Sequence, residues 1–220
     1  MTSGHCLLFR RSWATRTALA APRKPRLDGD ATRARLFEAA VRLFAKHGYA
    51  ATSVEQITRE AGVAKGTFFV HYATKDAVVT QLVRDQVRAA RSARDRAIAK
   101  GGSPIDALRA TVMTLGAEVA ADRELSRVVI AANILNPRLG GFAESVFGGI
   151  ISEMMDDVRA AQRARLLDPA IDPELIAGTL VLSYLGAALH FATAPHARPI
   201  LELLAPVVEA NLAGFAPGKR

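Results

Sequence analysis

Apolar positions recur three and four residues apart in segment after segment, and helix-capping or helix-ending residues separate the runs. Leu36, Ala40, Leu43 and Phe44 form one such stripe. With Asp30 or Thr32 as cap and Gly48 as terminator, it predicts a helix over residues 32–47. Val54, Ile57 and Ala61 share one face of a short second helix. Thr52 or Ser53 is its N-cap, and Glu55 or Gln56, three residues on, is the reciprocal partner. Gly62 tolerates the positive φ that a sharp helix-to-helix turn needs, Val63 plugs the corner, and a third helix runs over about 64–72. Thr74 caps a longer helix over 75–100, stopped by Gly101 and Gly102. Ser103-Pro104 opens one that reaches about residue 120. The pattern then predicts helices over 124–133, ended by Pro137, and over 139–167, bent at Gly140-Gly141 and Gly148-Gly149. Asp172-Pro173 opens a helix to about 192, and Pro199 begins the last, which ends by Gly214. The fold class is all-α, with Leu, Ala, Val and Ile supplying a sizeable core.

The stretch 51–75 has the outline of a helix-turn-helix, a motif whose second helix enters the DNA major groove. Many helical hairpins share an Ala-Gly-Val corner and bind nothing, so the outward chemistry has to decide. Lys65, Gly66, Thr67 and His71 crowd a helix with few acids, and Lys75 opens the next. A lysine near a helix N-terminus opposes the helix dipole, so another partner must account for it; a phosphate or a base edge would. Gly66 is a poor helix former, but it removes a side chain where a backbone approaches DNA closely.

The run from Arg33 to Leu82 resembles the DNA-binding domain of TetR-type transcriptional repressors. The resemblance is carried by Ala39, Ala40, Leu43, Phe44, Gly48 and Tyr49, then by Thr52, Ser53, Val54, Ile57, Ala61, Gly62 and Val63. It continues through Lys65, Gly66, Thr67, Phe69, His71 and Tyr72 to Thr74, Lys75 and Asp76, and covers about a quarter of the chain. The family usually has tyrosine where this chain has Phe69, and that hydroxyl commonly touches a phosphate. Phe69 keeps the ring and loses the hydrogen bond; Tyr72 is the phenol nearby. The expected interface comprises Thr52, Ser53, Lys65, Gly66, Thr67, Phe69, His71 and Lys75. Lys65 and Thr67 would reach base edges, Lys75 would clamp a phosphate, and Gly66 and Phe69 would contribute shape and packing. The resemblance implies repression, a helix over 75–100 linking the two parts of the chain, and a homodimer.

Charge supports the same reading. Residues 1–75 carry 13 Lys+Arg against 5 Asp+Glu, whereas residues 76–220 carry 16 of each, so the whole excess of +8 sits on the segment with the helix-turn-helix. Residues 1–29 lack a trustworthy helical period and hold Arg10, Arg11, Arg16, Arg23, Lys24 and Arg26. An Arg-rich, acid-free start also resembles a transit peptide, but a disordered basic arm adding non-specific phosphate contacts is the preferred reading. Cys6 is the single cysteine, which rules out an intrachain disulfide and a cysteine-based zinc site. No apolar run is expected to cross a bilayer, and the location expected is cytoplasmic.

The expected organisation is therefore a basic arm (1–29), a three-helix DNA-binding domain (30–76) and a helical effector-binding and dimerisation domain (77–216). Leu175, Ile176, Leu180, Leu182, Tyr184, Leu185, Leu189 and Phe191 cover more than one face of their helix, as do Ile200, Leu203, Leu204, Val207, Val208 and Leu212 of the last. One face packs inside the subunit, and the other needs a partner; a four-helix bundle between two copies satisfies it. An apolar or amphipathic small molecule would bind among residues 103–192, where Met113, Met154, Met155, Phe142 and Phe147 form deformable walls. Asn133 and His190 are the candidate polar contacts, with Asn136, Glu153 and Tyr184 as further polar groups. The arginines at 88, 91, 94 and 96 read as a solvated face with some ion pairing, and Glu153, Asp156 and Asp157 as solvated acids. No catalytic or metal site is expected: the Glu-x-x-His pairs of a di-iron bundle are missing, as are a phosphate loop and a nucleophile elbow. The rival to a DNA-binding regulator is a helical dimeric ligand-binding or scaffold protein without specific DNA binding.

Overall fold

A computed structural model describes residues 29–120, 146–194 and 198–218, together with Arg123, Ser126, Arg127 and Ile130, all four of them helical. Eight helices have defined bounds: α1 (Gly29–His47), α2 (Val54–Glu60), α3 (Lys65–His71), α4 (Lys75–Ala99), α5 (Pro104–Ala120), α6 (Val146–Arg163), α7 (Pro173–Thr193) and α8 (Ile200–Gly214). No strand occurs among the described residues. The helix expected over 124–133 lies outside them except at its four described neighbours and members, and so do the basic arm before Gly29 and the start of the helix expected over 139–167.

Several boundaries differ from expectation for physical reasons. Helix α1 begins at Gly29, so Thr32 is a buried residue of its first turn and not a cap. Helix α6 ends at Arg163 rather than near 167. Arg165 adopts φ 58°, and Leu166 donates back to the Ala161 carbonyl at 2.9 Å. This turn drives Leu167 into the core, where it is fully buried. Gly148 and Gly149 lie inside α6 without ending it.

The apolar residues form two clusters joined by one helix. Leu36, Ala39, Ala40, Phe44, Ile57, Ala61, Phe68 and Tyr72 pack with Val78 and Val79 of α4. Val83, Val87 and Ala90, further along the same helix, belong to the larger cluster built from α5, α6, α7 and α8. The packing border thus falls within α4, between Val79 and Leu82. Helices α5 and α8 approach closely because Gly116 has no side chain: a Cβ there would sit 2.7 Å from Leu204 Cδ2.

Helix α7 is, against expectation, long and apolar enough to span a bilayer by length and composition. Its apolarity has another use here. Ile176, Ala177, Leu180, Val181, Tyr184, Ala187, Ala188 and Ala192 are buried in the larger core, while Leu175, Leu182 and Leu189 remain exposed. The Tyr184 hydroxyl accepts a hydrogen bond from Gln86 Nε2 at 2.9 Å, and the same amide donates to the Leu115 carbonyl at 3.1 Å. This buried polar knot ties α4, α5 and α7 together, and burial pushes the Tyr184 phenol's pKa upward.

Candidate nucleic-acid interface

The interface is built from the α2–α3 corner. Ser53 caps α2 reciprocally with Gln56: its hydroxyl accepts from the Gln56 N–H at 3.2 Å, and its own N–H donates to Gln56 Oε1 at 2.7 Å. At the other end Gly62, at φ 66°, donates to the Arg59 carbonyl, and Val63 donates to that of Thr58. These two bonds close a Schellman turn, which needs a left-handed residue where glycine stands. Arg35 of α1 donates to the Ala61 carbonyl and passes so close that a Cβ at Gly62 would sit 3.0 Å from its Nη2. No local pattern signals this brace, because it links positions 26 residues apart.

Helix α3 turns Phe68 inward against Tyr72, ring centroids 5.6 Å apart. Lys65, Gly66, Phe69 and Val70 are exposed, with Thr67 and His71 partly so. Phe69 is 51% and Val70 79% exposed, unusual values for large apolar side chains of a folded helix. Val70 was missed in the sequence, although it lies one turn beyond Gly66 and therefore on the same outward face. Gly66 has open space where a Cβ would be, which fits a surface kept clear for close approach. Ala64 precedes the helix without a side-chain cap. Lys65 pairs with Glu55 of α2, and this ammonium hydrogen bond holds the Glu55 carboxyl below its ordinary range.

Two of the expected contacts have other work. Thr52 is only 2% exposed, and its hydroxyl lies 2.8 Å from the Gly48 carbonyl and 3.2 Å from that of Leu43. It fastens the α1–α2 loop instead of presenting a polar group to DNA. Lys75 Nζ donates to the carbonyls of Tyr49 at 2.6 Å and Thr52 at 2.8 Å, and lies 4.1 Å from the centroid of the Tyr49 ring. Burial pushes its pKa down despite the neighbouring Asp76, whose carboxylate accepts from the Tyr49 hydroxyl. Lys75 is therefore a tie between α4 and the loop, with two of its three donors committed, and not a free phosphate clamp. Tyr72 does not replace the hydroxyl absent from Phe69. It is buried and donates to Gln81 Oε1 at 2.9 Å.

Charge is also distributed less evenly than the total implied. Residues 29–75 hold seven Lys+Arg against four Asp+Glu, so five of the eight net charges belong to residues 1–28. In the C-terminal region His190 is exposed and does not face the interior, contrary to its expected place in an effector site. Asn133, Asn136 and Phe142 lie outside the described residues. Glu153 and Asp157 are not solvated acids: Arg91 reaches Glu153 at 2.6 Å, and Arg94 grips Asp157 through two bonds of 2.6 and 2.7 Å.

Comparison with known proteins agrees with this geometry. The family model for bacterial regulatory proteins of the tetR family matches residues 36–82, the segment that carries every expected DNA contact. Residues 36–82 are therefore a TetR-type DNA-binding segment. The transcriptional regulator UidR of Escherichia coli K12 is 24% identical over 155 residues, 70% of this chain and 78% of that protein. The fatty acid degradation regulator FadR of Bacillus halodurans superposes with a TM-score of 0.72 at 19% identity, covering 89% of this chain and 98% of its own. FadR of Thermus thermophilus, a TetR-family repressor solved with lauroyl-CoA, gives 0.60 at 25% identity over 86% of this chain and 97% of its own. The chain is a DNA-binding transcriptional regulator whose recognition segment is of TetR type.

Proposed function

We propose that this regulator is a homodimeric repressor that reads an operator through α3 and releases it when a small apolar or amphipathic molecule enters the helical C-terminal region. The observation that carries the DNA-reading step is the outward face of α3, where Lys65, Gly66, Phe69 and Val70 are exposed on a helix whose other face is locked into the core by Phe68. Lys65 and Thr67 read base edges near the start of the helix, and His71 and Ser53 set its register through phosphate contacts. Phe69 and Val70 suit thymine methyl groups, which accept apolar contact in the major groove.

Helix α4 supplies the route for release. Its first turns belong to the core under α3, and its later turns to the larger core, where Arg91 and Arg94 pin it to α6. A ligand that displaces α6 therefore moves α4, and with it the recognition helix, provided it binds the two arrangements with different affinity. Lauroyl-CoA in the Thermus thermophilus FadR complex supports an amphipathic ligand class. The buried Met154 and the partly buried Met113 and Met155 supply deformable walls. We assign the protein to the cytoplasm, where its operator would be.

The test is a titration on the DNA flanking the protein's own gene at several salt concentrations, beside a Lys65→Ala, Thr67→Ala double variant. Saturable binding to one near-palindromic site, lost in the variant, is the expected result. Equal, salt-sensitive binding to every DNA, indifferent to the variant, would leave only the basic residues 1–28 as the source of affinity and overturn the reading.

A further inference from the structure

A cavity of about 450 Å³ lies between α1, the end of α3 and α4, lined by Arg33, His71, Tyr72, Gln81, Arg84 and Arg88 among others. That volume falls within the roughly 300–1,000 Å³ of small-molecule sites. Its chemistry differs from an effector pocket's, because three guanidiniums and an imidazole face one space. Arg33 is fixed without any carboxylate: Nε and Nη2 both donate to Gln81 Oε1, at 3.3 and 2.9 Å, and the guanidinium lies 5.0 Å from the centroid of the Tyr72 ring. Arg84 makes no ion pair among the described residues, and Arg88 has only Asp85 at 3.1 Å, between exposed groups whose pairing is weak. Higher on α4 the arrangement changes, and Arg91 and Arg94 are each satisfied by a carboxylate of α6. The three arginines that line the cavity are thus held by no strong carboxylate partner among the described residues.

We propose that this cleft binds a free phosphorylated small molecule, with the phosphate oxygens held by Arg84, Arg88 and the remaining Arg33 nitrogen. A phosphate group offers the multiple charge and several acceptors that converging guanidinium forks match, often in bidentate pairs. Operator DNA is the other source of phosphate, and position disfavours it. Arg88 stands 13 residues beyond Lys75 on α4, about 20 Å along the axis at roughly 1.5 Å per residue. A duplex engaged by α3 would therefore border the lower end of the cleft, where His71 lies, and stand far from Arg88 at its upper end. Because the cleft spans α1, α3 and α4, its occupant would also change operator affinity, by the same factor by which DNA changes the occupant's affinity.

The experiment is calorimetric titration of the full chain with inorganic pyrophosphate, without DNA, at ionic strength held constant with chloride. It is repeated with Arg84→Ala, Arg88→Ala and with Lys65→Ala, Thr67→Ala. Saturable binding at one site per chain is expected, weakened at least tenfold by the first pair and unchanged by the second. Absence of saturable binding, or equal binding by the Arg84 and Arg88 variant, overturns the proposal. So does a loss in the Lys65 and Thr67 variant, which would put the anion on the recognition helix. In a parallel DNA titration, a reduced salt slope in the arginine variant together with no pyrophosphate binding would make the cleft a DNA contact and likewise overturn it.

Discussion

Lys75 separates two roles that one residue type can play beside DNA. Its ammonium is spent on the Tyr49 and Thr52 carbonyls, so replacing it should be felt in stability before it is felt in binding. Lys75→Met should lower stability by about 1–2 kcal/mol, the scale of losing a charged hydrogen-bond donor to part-buried carbonyls. That corresponds to a fall of roughly 2–8 °C in melting temperature for a chain of this size. The slope of log affinity against log salt should stay within experimental error; a slope reduced by about one phosphate contact would restore the clamp role. Phe69 tests the opposite case. It is half exposed, so Phe69→Tyr should regain the hydroxyl that the family resemblance places against a phosphate. One hydrogen bond to a charged phosphate is worth about 1.5–3 kcal/mol, or at least roughly tenfold tighter binding to operator and to non-specific DNA alike. Anisotropy titrations at fixed salt on both DNAs would show it, and an unchanged affinity would mean that Phe69 does not stand at the backbone.

At the scale of elements, the pairing of α4 with α6 is the feature that periodicity hid most completely. Asp157 is buried in the grip of Arg94, whose pKa this hydrogen bond raises further. Asp157→Asn keeps the shape and removes the charge, leaving a guanidinium about a quarter exposed with only the exposed Asp95 as counterion. The cost should be about 2–3 kcal/mol, below the 3–5 kcal/mol of a fully buried pair because solvent still reaches Arg94. Urea denaturation would measure it as a lower midpoint at unchanged slope. What was legible from sequence were the interactions that span three to five residues: the Ser53–Gln56 box, the Gly62 turn, the caps at Thr74, Ser103 and Asp172, and the stripes that feed both cores. Thr52 and Lys75 were misread because their residue types suit DNA equally well, and only the loop's path decides which carbonyls they meet. Arg35, Arg94 and the Arg33–Gln81 wall were illegible for a related reason, since each partner lies 26 to 63 residues away. A cation's period on a helix says which face it occupies and nothing about which acid stands opposite.

At the scale of the whole molecule, one apolar seam lies on the surface. Leu175, Leu182 and Leu189 repeat every seven residues on α7 and stay exposed, Leu182 at 62%, although the same helix buries Ile176, Leu180, Val181 and Tyr184 completely. Gly178 and Gly186 stand among them with open space where a Cβ would be, so a second helix can approach closely. On α8, Val207 is exposed as well. A leucine seam of this period matches a helix crossing at a shallow angle, and a two-fold axis through it would set Leu182 of one copy near that of the other. The homodimer proposed above would supply such an axis, because a helix-turn-helix dimer reads two half-sites about 34–36 Å apart, or a multiple of that, with two recognition helices. Leu182→Glu should therefore leave the subunit folded, since an exposed position costs within about 0.5 kcal/mol, while it places two like charges in the seam. Sedimentation should then report a monomer at micromolar concentration, with an unchanged helical signal. Operator affinity should fall at least a hundredfold, because the second half-site no longer contributes through a linked subunit. A variant that remains dimeric and binds its operator as before would move the two-fold axis off α7.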